Sequence, residues 1–233
     1  MKKKILVTGG DGKFSKVLQA KNKKLDLFFS SKKYCNILNI NSIIKAVKKK
    51  KPKIILHCAG LSRPMNIHKK NIIKSIDLNI IGTCNLVKVC NIYKIKLIYF
   101  STGYVYAGTK GNYKESDGAN PFNNYGLSKL GGESAVRMLS DSLVLRITMT
   151  EKPFIYNKAY SNLKSNFMFH EDLVQILPKL INKKGIINVG GPSQSVYNFA
   201  KKYNKKVKKI LYKKNSKLPP NQTMNLNKLL KNL

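Results

Sequence analysis

Residues 4–15 read KILVTGGDGKFS, and this segment decides the fold of the chain. Residues 4–8 are a short apolar run that predicts a buried strand, and the run stops at a glycine-rich turn. Residues 13–20 can continue as a helix. A strand, a glycine turn and a helix in this order predict the first β–α unit of a dinucleotide-binding sheet. In such a unit the glycines let the backbone approach a pyrophosphate, and the helix N-terminus offers free N–H groups.

The glycine turn has the spacing Gly9-x-x-Gly12-x-x-Ser15. Ser15 stands where a third glycine is usual, and it is small enough for close packing of helix against strand. An ordinary β–α turn is the alternative interpretation. We expect the cofactor to contact Gly9, Gly12, Lys13 and Phe14.

Further apolar runs predict strands at residues 25–30, 53–58, 95–100, 143–145 and 186–189. They alternate with segments that predict helices at 41–51, 69–93, 170–181 and 195–203, and no hairpin signal separates them. This alternation predicts an α/β fold, a Rossmann-like doubly wound parallel sheet. We expect a dinucleotide-binding domain at residues 1–147 and a small, shortened C-terminal substrate lobe at 148–233, partly interleaved with it. Residues 148–169 are irregular and aromatic, as in loops over a cleft, and 201–214 suggests an element with one buried face.

The second strand ends in Ser30, Ser31 and Lys32. An NAD site usually places an acid there for the ribose hydroxyls, whereas hydroxyls and a cation suit a 2′-phosphate. We therefore expect NADPH, with NADH as the alternative, although lysine is frequent throughout this chain. The third strand ends at Cys58, and the small residues Ala59 and Gly60 follow it, so all three can lie against a cofactor.

Tyr125 and Lys129 lie four residues apart in a predicted helix. Side chains at this spacing share a helix face, with Cβ atoms about 5–6 Å apart. The lysine cation is expected to lower the pKa of the phenol and make it a usable proton donor or acceptor. The alternative is a half-buried tyrosine beside a solvated lysine. Ser101 and Thr102 end a central strand, where ligands bind in open α/β sheets.

The composition limits the other functions. The chain has 233 residues, 42% of them hydrophobic, and 45 Lys+Arg against 10 Asp+Glu give a net charge of +35. Such a charge is typical of nucleic-acid binders, but the lysines are spread over every segment and no nucleic-acid-binding motif is present. Compositional bias is the simpler explanation, so we expect no specific nucleic-acid partner. A general positive potential would still attract phosphorylated ligands.

Cysteine usage and hydropathy point to the cytoplasm. The four cysteines form no Cys-x-x-Cys pair and no secreted-type framework, which predicts reduced thiols. His57 has no partner at metal-ligand spacing, so no metal site is expected. The apolar run after the basic residues 2–4 is too short for a signal peptide, and no stretch reaches the roughly 20 apolar residues of a membrane span.

Taken together, the motifs resemble those of the extended short-chain dehydrogenase/reductase family, in particular its dTDP-4-dehydrorhamnose reductases and related enzymes of sugar nucleotides. The most specific matches are FSTGYVYAG at residues 100–108 and NYGLSKLGGE at 124–133. The glycine turn, Ala59-Gly60 and Asn79 match more weakly, as do GIINVGG at 185–191 and the tail from 218 to 229.

The resemblance implies an oxidoreductase that uses NADPH to reduce the 4-keto group of a nucleotide-activated 6-deoxyhexose, in deoxysugar or polysaccharide synthesis. Tyr125 would protonate the carbonyl oxygen, Lys129 would assist Tyr125 and bind the nicotinamide ribose, and Thr102 would hold the carbonyl oxygen, with Ser101 as the competing hydroxyl. The expected substrate contacts are Ser101, Thr102, Gly103, Tyr104, Val105 and Arg146. The expected cofactor contacts add Asn36, Asn79, Ser101, Tyr125 and Lys129 to those given above.

The chain also departs from the family pattern. Gly103 replaces a usual aspartate, and Asn36 stands where an acid often lies near the adenine. The chain after Arg146 is shorter than in these reductases. Arg146 itself has two roles open, a phosphate contact or a structural ion pair. An epimerase or dehydratase, a non-catalytic cofactor-binding regulatory subunit and a homodimer all remain open.

Overall fold

The computed structural model describes residues 3–212 and 218–233. In these residues the strands are β1 (Lys4–Thr8), β2 (Asp26–Ser30), β3 (Ile54–His57), β4 (Lys96–Thr102), β5 (Ser142–Ile147), β6 (Met149–Thr150), β7 (Lys158–Tyr160), β8 (Lys164–Ser165), β9 (Met168–Phe169), β10 (Gly185–Val189), β11 (Gln194–Ser195) and β12 (Lys208–Ile210). The α-helices are α1 (Lys13–Lys21), α2 (Ile40–Lys50), α3 (Ile67–Lys70), α4 (Ile72–Ile76), α5 (Gly82–Tyr93), α6 (Asn124–Val136), α7 (His170–Leu180), α8 (Val196–Lys201) and α9 (Asn227–Leu230).

Six parallel strands form the central sheet in the order β10-β5-β4-β3-β1-β2. The inner strands β1, β3, β4 and β5 are buried on both faces, and their residues alternate between two cores, as a sheet covered by helices on both sides requires. The edge strand β2 is half-buried. In β1, for example, Ile5 and Val7 pack in the core that α1 and α7 cover, while Leu6 packs in the core under α2 and α5. The structure therefore confirms the predicted doubly wound parallel sheet.

The strand order reverses direction between β1 and β3. Chain order runs outward from β1 to β2 on one side, and then from β3 through β4 and β5 on the other. Ligands bind outside the carboxyl ends of parallel strands at such a switch point. The turn after β1 and the loop after β3 meet there, and β4 brings Thr102 to the same edge.

The helix predicted at 69–93 is divided. Asn71 separates α3 from α4, and its side chain caps α4 by accepting from the Lys74 N–H at 2.9 Å. Between α4 and α5 the residues Asp77–Ile81 form a π-helical turn, and Asn79 lies within it. π-Helical turns within helices are frequent at functional sites.

The chain after residue 147 has two roles. β10 completes the central sheet beside β5, while β6–β9, β11 and β12 form three small two-stranded pairs. Residues 148–169, expected to be irregular, contain four of these short strands. Aromatic side chains hold this part together, with Phe199 in contact with the rings of Phe154, Phe167 and Phe169. The division at 147 stays a prediction.

Within 201–214 the structure gives β12 and a buried Val207, in keeping with one buried face, while residues 213–214 lie outside the described chain. No helix in the described ranges has the length and apolar character that crossing a bilayer demands.

Candidate active site

The glycine turn after β1 is shaped by close backbone packing. Gly9 has φ +68°, and a Cβ there would lie 2.7 Å from the Cα of Ala59 in the loop after β3. The Gly12 N–H donates to the Gly9 carbonyl at 2.9 Å, which closes the turn. Only glycine fits at position 9, because both the conformation and the available space exclude a side chain.

The same turn leaves the start of α1 open to an anion. Gly12 is the N-cap and supplies no capping side chain, and the first turn contains no acidic residue. The first N–H groups of the helix and its positive dipole end are therefore available for a phosphate. These features fit the pyrophosphate of a nicotinamide dinucleotide.

The end of β2 lies beside this turn. The Gly10 N–H donates to the Ser30 carbonyl at 2.9 Å, and Ser30 is buried beneath it. Ser31 is half-buried and Lys32 is exposed, so these two side chains are accessible to a ligand. Asn36 is engaged locally, because its Oδ1 accepts from the Leu38 N–H at 3.1 Å.

Asn79 links the loop after β3 to α6. Its side chain makes a two-way pair with Leu61, accepting from the N–H at 2.7 Å and donating to the carbonyl at 2.8 Å. It also donates to the Ser128 hydroxyl at 2.9 Å. A Cβ on Gly60 would lie 2.9 Å from the Asn79 Oδ1. The side chain of Asn79 is therefore fully used in support of the site's walls.

Thr102, Tyr125 and Lys129 converge at the carboxyl end of β4. Asn123 caps α6 by accepting from the Gly126 N–H at 2.8 Å, which sets Tyr125 in the first turn of the helix. The Thr102 hydroxyl accepts from the Tyr104 N–H at 3.2 Å and lies near enough to the Tyr125 phenol to favour its charged form. Lys129 follows one turn later, and its Nζ lies 4.1 Å from the centre of the Tyr99 ring. The structure places these three residues at one edge of the sheet, and their catalytic roles stay a prediction.

The protonation of the pair differs from the expectation. Burial raises the pKa of Tyr125 to about 12, against the effect of the Thr102 hydroxyl. Burial also lowers the pKa of Lys129 to about 7, against the attraction of Cys58 and Glu133. The expected net lowering of the pKa of Tyr125 is wrong, because burial outweighs the groups around the phenol that favour its charged form. Tyr125 is thus a neutral phenol near pH 7, the form that donates a proton.

Ser101 and Arg146 belong to a buried network instead of the cleft. The Ser101 hydroxyl donates to Glu133 Oε2 at 2.7 Å, on the face of β4 opposite Thr102. Arg146 donates to Glu133 Oε1 from Nη2 at 2.6 Å and from Nε at 3.2 Å. Its Nη1 also donates to the Tyr106 hydroxyl at 2.7 Å, and Arg146 is 2% exposed.

Two expectations are corrected by this network. Of the two roles open for Arg146, the structure shows the ion pair, so its guanidinium is not a substrate contact. The hydroxyl of Ser101 is committed to Glu133, so Thr102 is the hydroxyl that faces Tyr125.

Two more predicted contacts have their side chains in the core. The Phe14 ring packs against Phe100 with centroids 5.1 Å apart, so only its backbone N–H can meet a cofactor. Val105 is fully buried in a cluster with Tyr106, and its side chain does not face the cleft. Tyr104 does border the site, with its ring 6.0 Å from that of Tyr125.

A charged bridge crosses the front of the site. Glu151, just after β6, pairs with Lys13 at 2.8 Å and with Arg63 at 3.5 Å. Lys13 begins α1 and Arg63 follows β3, so one carboxylate joins the two loops that flank the switch point. The positive charge of Arg63 also opposes the rise in the pKa of Tyr125.

Two histidines are close to the catalytic candidates. The His68 ring lies 5.0 Å from that of Tyr125, and its Nδ1 is 2.7 Å from the Ser75 hydroxyl. His57 is buried between the hydroxyls of Thr8, at 2.9 Å, and Thr83, at 3.1 Å. Burial and the nearby Lys129 lower the pKa of His57 to about 3, so it stays neutral and acts as a strand residue.

A family model described as the RmlD substrate binding domain matches residues 2–170. The chain belongs to this family. Its expected place among the extended short-chain dehydrogenases/reductases is thereby confirmed.

The chain is similar in sequence to proteins of two kinds. It is 33% identical over 150 residues to the methionine adenosyltransferase 2 subunit beta of Xenopus tropicalis, a match that covers 64% of this chain and 43% of that protein. It is 25% identical over 205 residues to the dTDP-4-dehydrorhamnose reductase of Aggregatibacter actinomycetemcomitans, covering 82% and 63% of the two chains. The chain thus spans less than two thirds of the length of these relatives.

Among solved structures, the RmlD family chain resembles dTDP-4-dehydrorhamnose reductase from Bacillus anthracis, determined in complex with NADP. The TM-score is 0.88 at 25% identity, covering 100% of this chain and 93% of that one. The Bordetella bronchiseptica enzyme WbmG, in complex with NAD, shares the fold with a TM-score of 0.79 at 16% identity. Relatives of this fold therefore bind either nicotinamide cofactor.

Gly103, where RmlD-type reductases were expected to carry an aspartate, is enclosed. A Cβ there would lie 2.8 Å from the Thr148 hydroxyl and 3.3 Å from the Met224 sulfur. The space for an acidic side chain is thus filled by Thr148 and Met224, and the site lacks a carboxylate at this position.

Sequence reasoning missed Glu133, His68, Arg63 and Glu151. The sequence did contain an indication for Glu133, because this residue lies four positions after Lys129 and so shares its face of the predicted helix. The other three reach the site from loops and short helices distant in sequence, and no spacing rule indicated them.

Proposed function

We propose that this chain is a nicotinamide-dependent reductase of the 4-keto group of a nucleotide-activated 6-deoxyhexose. The observation that carries the proposal is the convergence of Thr102, Tyr125 and Lys129 beside the open N-terminus of α1. The reductases among its relatives lend further support.

In the proposed reaction, the bound cofactor supplies a hydride to the carbonyl carbon. Tyr125, a neutral phenol near pH 7, donates its proton to the carbonyl oxygen as an alcohol forms. Thr102 orients that oxygen and the phenol through its hydroxyl. Lys129, with a pKa of about 7, binds the nicotinamide ribose and stabilises the phenolate left behind.

We assign the cofactor as NADPH. Ser31 and Lys32 are accessible at the end of β2, and they offer a hydroxyl and a cation to a 2′-phosphate. The surrounding net charge of +35 favours the approach of such an anionic ligand. The cytoplasmic location and the homodimer remain predictions from sequence.

The proposal is tested by following the nicotinamide absorbance while the purified protein is incubated with NADPH and a dTDP- or UDP-linked 4-keto-6-deoxyhexose. We expect oxidation that depends on the sugar and vanishes in Tyr125→Phe. Phe122→Leu, which alters a ring beside Tyr104, serves as the control and keeps turnover. Cofactor binding without oxidation across a panel of keto-sugars would reject the reductase.

A second candidate is a cofactor-binding regulatory subunit. It is favoured by the relatives named as a subunit of methionine adenosyltransferase, at 33% identity, and by the missing acid at Gly103. In that case the partner would be the catalytic subunit of such an enzyme, and NADPH would bind without turnover. Co-elution with that subunit in size-exclusion chromatography distinguishes the two candidates.

An epimerase or dehydratase is disfavoured, because a dehydratase would need a further carboxylate near Thr102 and the enclosed Gly103 supplies none.

A further inference from the structure

The buried carboxylate of Glu133 is held by groups from three elements. It is fully buried on α6, with Arg146 of β5 on both oxygens and Ser101 of β4 donating to Oε2 at 2.7 Å. A charge in the interior keeps its position when its partners satisfy its hydrogen bonds. The carboxylate therefore has a fixed place under the candidate active site.

Glu133 also lies one helical turn after Lys129. Residues at this spacing share a helix face, so the carboxylate and the ammonium are held on the same side of α6. The Tyr99 hydroxyl donates to the Lys129 carbonyl at 3.1 Å and its ring lies against Nζ, which keeps this turn of the helix in place.

The other ionisable groups that face Lys129 are neutral near pH 7. At the end of β3 these are His57, with its pKa lowered to about 3, and the following Cys58, with its pKa raised to about 12. On β4, burial raises the pKa of Tyr99 well above its usual range, and on α6 the pKa of Tyr125 is about 12. Cys58 can attract Lys129 only as a thiolate, which its raised pKa excludes near pH 7, so among the described residues Glu133 is the carboxylate that acts on Lys129 there.

We propose that Glu133 is a positioning residue that keeps Lys129 charged, by placing a fixed, buried counter-anion one helical turn away. Arg146 and Ser101 hold this anion in position. The consequence for turnover rests on the proposed function. The effect of Glu133 on the charge of Lys129 does not rest on it, so this proposal and the proposed function can be rejected separately.

The test is the titration of Lys129 in the full chain without added ligand. Lysine labelled with ¹³C at Cε is incorporated, and the resonance that titrates near pH 7 is assigned by its absence in Lys129→Arg. An ordinary lysine titrates near pH 10, whereas burial lowers the pKa of Lys129 to about 7, so the pH range in which its resonance moves identifies it. Neutralising the anion in Glu133→Gln is expected to lower the titration midpoint by about one pH unit.

Because Glu133→Gln leaves the Arg146 cation uncompensated, that variant can fail to fold. The double variant Glu133→Gln/Arg146→Gln removes both charges and keeps the polar shape. It is expected to show a smaller downward shift, because the loss of the Arg146 cation partly opposes the loss of the carboxylate, which acts more strongly on Lys129. Glu133→Asp, which keeps the anion, is expected to restore the midpoint. Asp141→Asn, at an exposed carboxylate that pairs with Lys96 and Lys184, is the control and leaves Lys129 unchanged.

A folded double variant in which Lys129 titrates as in the parent would overturn the proposal and leave Glu133 a purely structural residue. A downward shift supports it whether or not NADPH is oxidised. If the chain is also a reductase, the pH at which its rate changes between acid and neutral conditions shifts together with the titration midpoint of Lys129. A mere loss of packing would lower the rate without shifting that pH.

Discussion

The backbone of Gly126 packs directly against the carbonyl oxygen of Tyr104. A Cβ at this glycine would overlap that oxygen and would also lie 2.9 Å from the Cβ of Pro121. The contact joins the first turn of α6 to the loop after β4. It therefore fixes Tyr125 relative to Thr102, since Tyr125 precedes Gly126 and the Thr102 hydroxyl accepts from the Tyr104 N–H at 3.2 Å.

Gly126→Ala is expected to push α6 away from this loop and to reduce turnover by at least tenfold, with a lower melting temperature. The measurement is initial rate and thermal unfolding, compared with Gly118→Ala. A Cβ at Gly118 would meet no atom within 4 Å, so that substitution is expected to change neither quantity. Equal effects of the two substitutions would contradict this view of the contact.

Arg146→Met is expected to destabilise the protein by about 3–5 kcal/mol, because it leaves the Glu133 carboxylate buried without its partner. Lys184→Ala breaks an exposed ion pair with Asp141 and should cost no more than about 1 kcal/mol. Urea unfolding of both variants makes the comparison. A small and similar loss of unfolding free energy in both variants would mean that apolar packing readily replaces the Arg146 ion pair.

Stability is expected to fall as the pH drops below neutrality, and His57 contributes to this. Its pKa is about 3 in the folded protein against an ordinary value of 6.5, so between these values the unfolded chain binds one more proton. The unfolding free energy then decreases with falling pH, by at most about 1.4 kcal/mol per pH unit from this residue.

His57→Gln is expected to flatten this pH dependence, measured by denaturant unfolding between pH 4 and pH 7, about the range in which an ordinary histidine gains its proton. The pKa of His68 and that of His170 are also lowered, which adds to the same trend. His170→Gln is the control and should flatten the profile less. An unchanged slope in His57→Gln would show that its neutral form is not stabilised by the fold.

Lys32→Ala is expected to weaken NADPH binding about fivefold to tenfold and to leave NADH binding unchanged, since only NADPH carries the 2′-phosphate. Fluorescence titration with both cofactors is the measurement. Lys33→Ala is the matched control, because the ammonium of Lys33 lies near the Tyr34 ring. A parallel loss for both cofactors would assign Lys32 a general electrostatic role instead.

The sheet was predictable from the sequence because its strands are buried on both faces. Continuous apolar runs such as residues 95–100 are what a two-sided core demands, and the glycine turn marked the first β–α unit. The π-helical turn at Asp77–Ile81 was not predictable, since it follows from packing against α6 and the loop after β3.

The part of the site that depends on spacing along the sequence was predictable. Tyr125 and Lys129 lie on one helix, and Thr102 lies at a strand end, so simple rules brought them together. The pairing of Ser101 and Arg146 with Glu133 depends on the register of β4 against β5, which sequence alone did not supply. The pKa values of Tyr125 and Lys129 depend on burial, a property of the whole fold.

The position of β10 has a consequence for how the protein forms during synthesis. Asn188 on this strand accepts a hydrogen bond from Tyr106, 82 residues earlier, and Tyr106 in turn contacts Arg146. A nascent chain that has emerged only as far as β5 would hold the Glu133–Arg146 pair beside an open sheet edge. The ribosome must release β10 before water is excluded from that pair, so the interior beneath the candidate active site is completed only after this strand has joined the sheet.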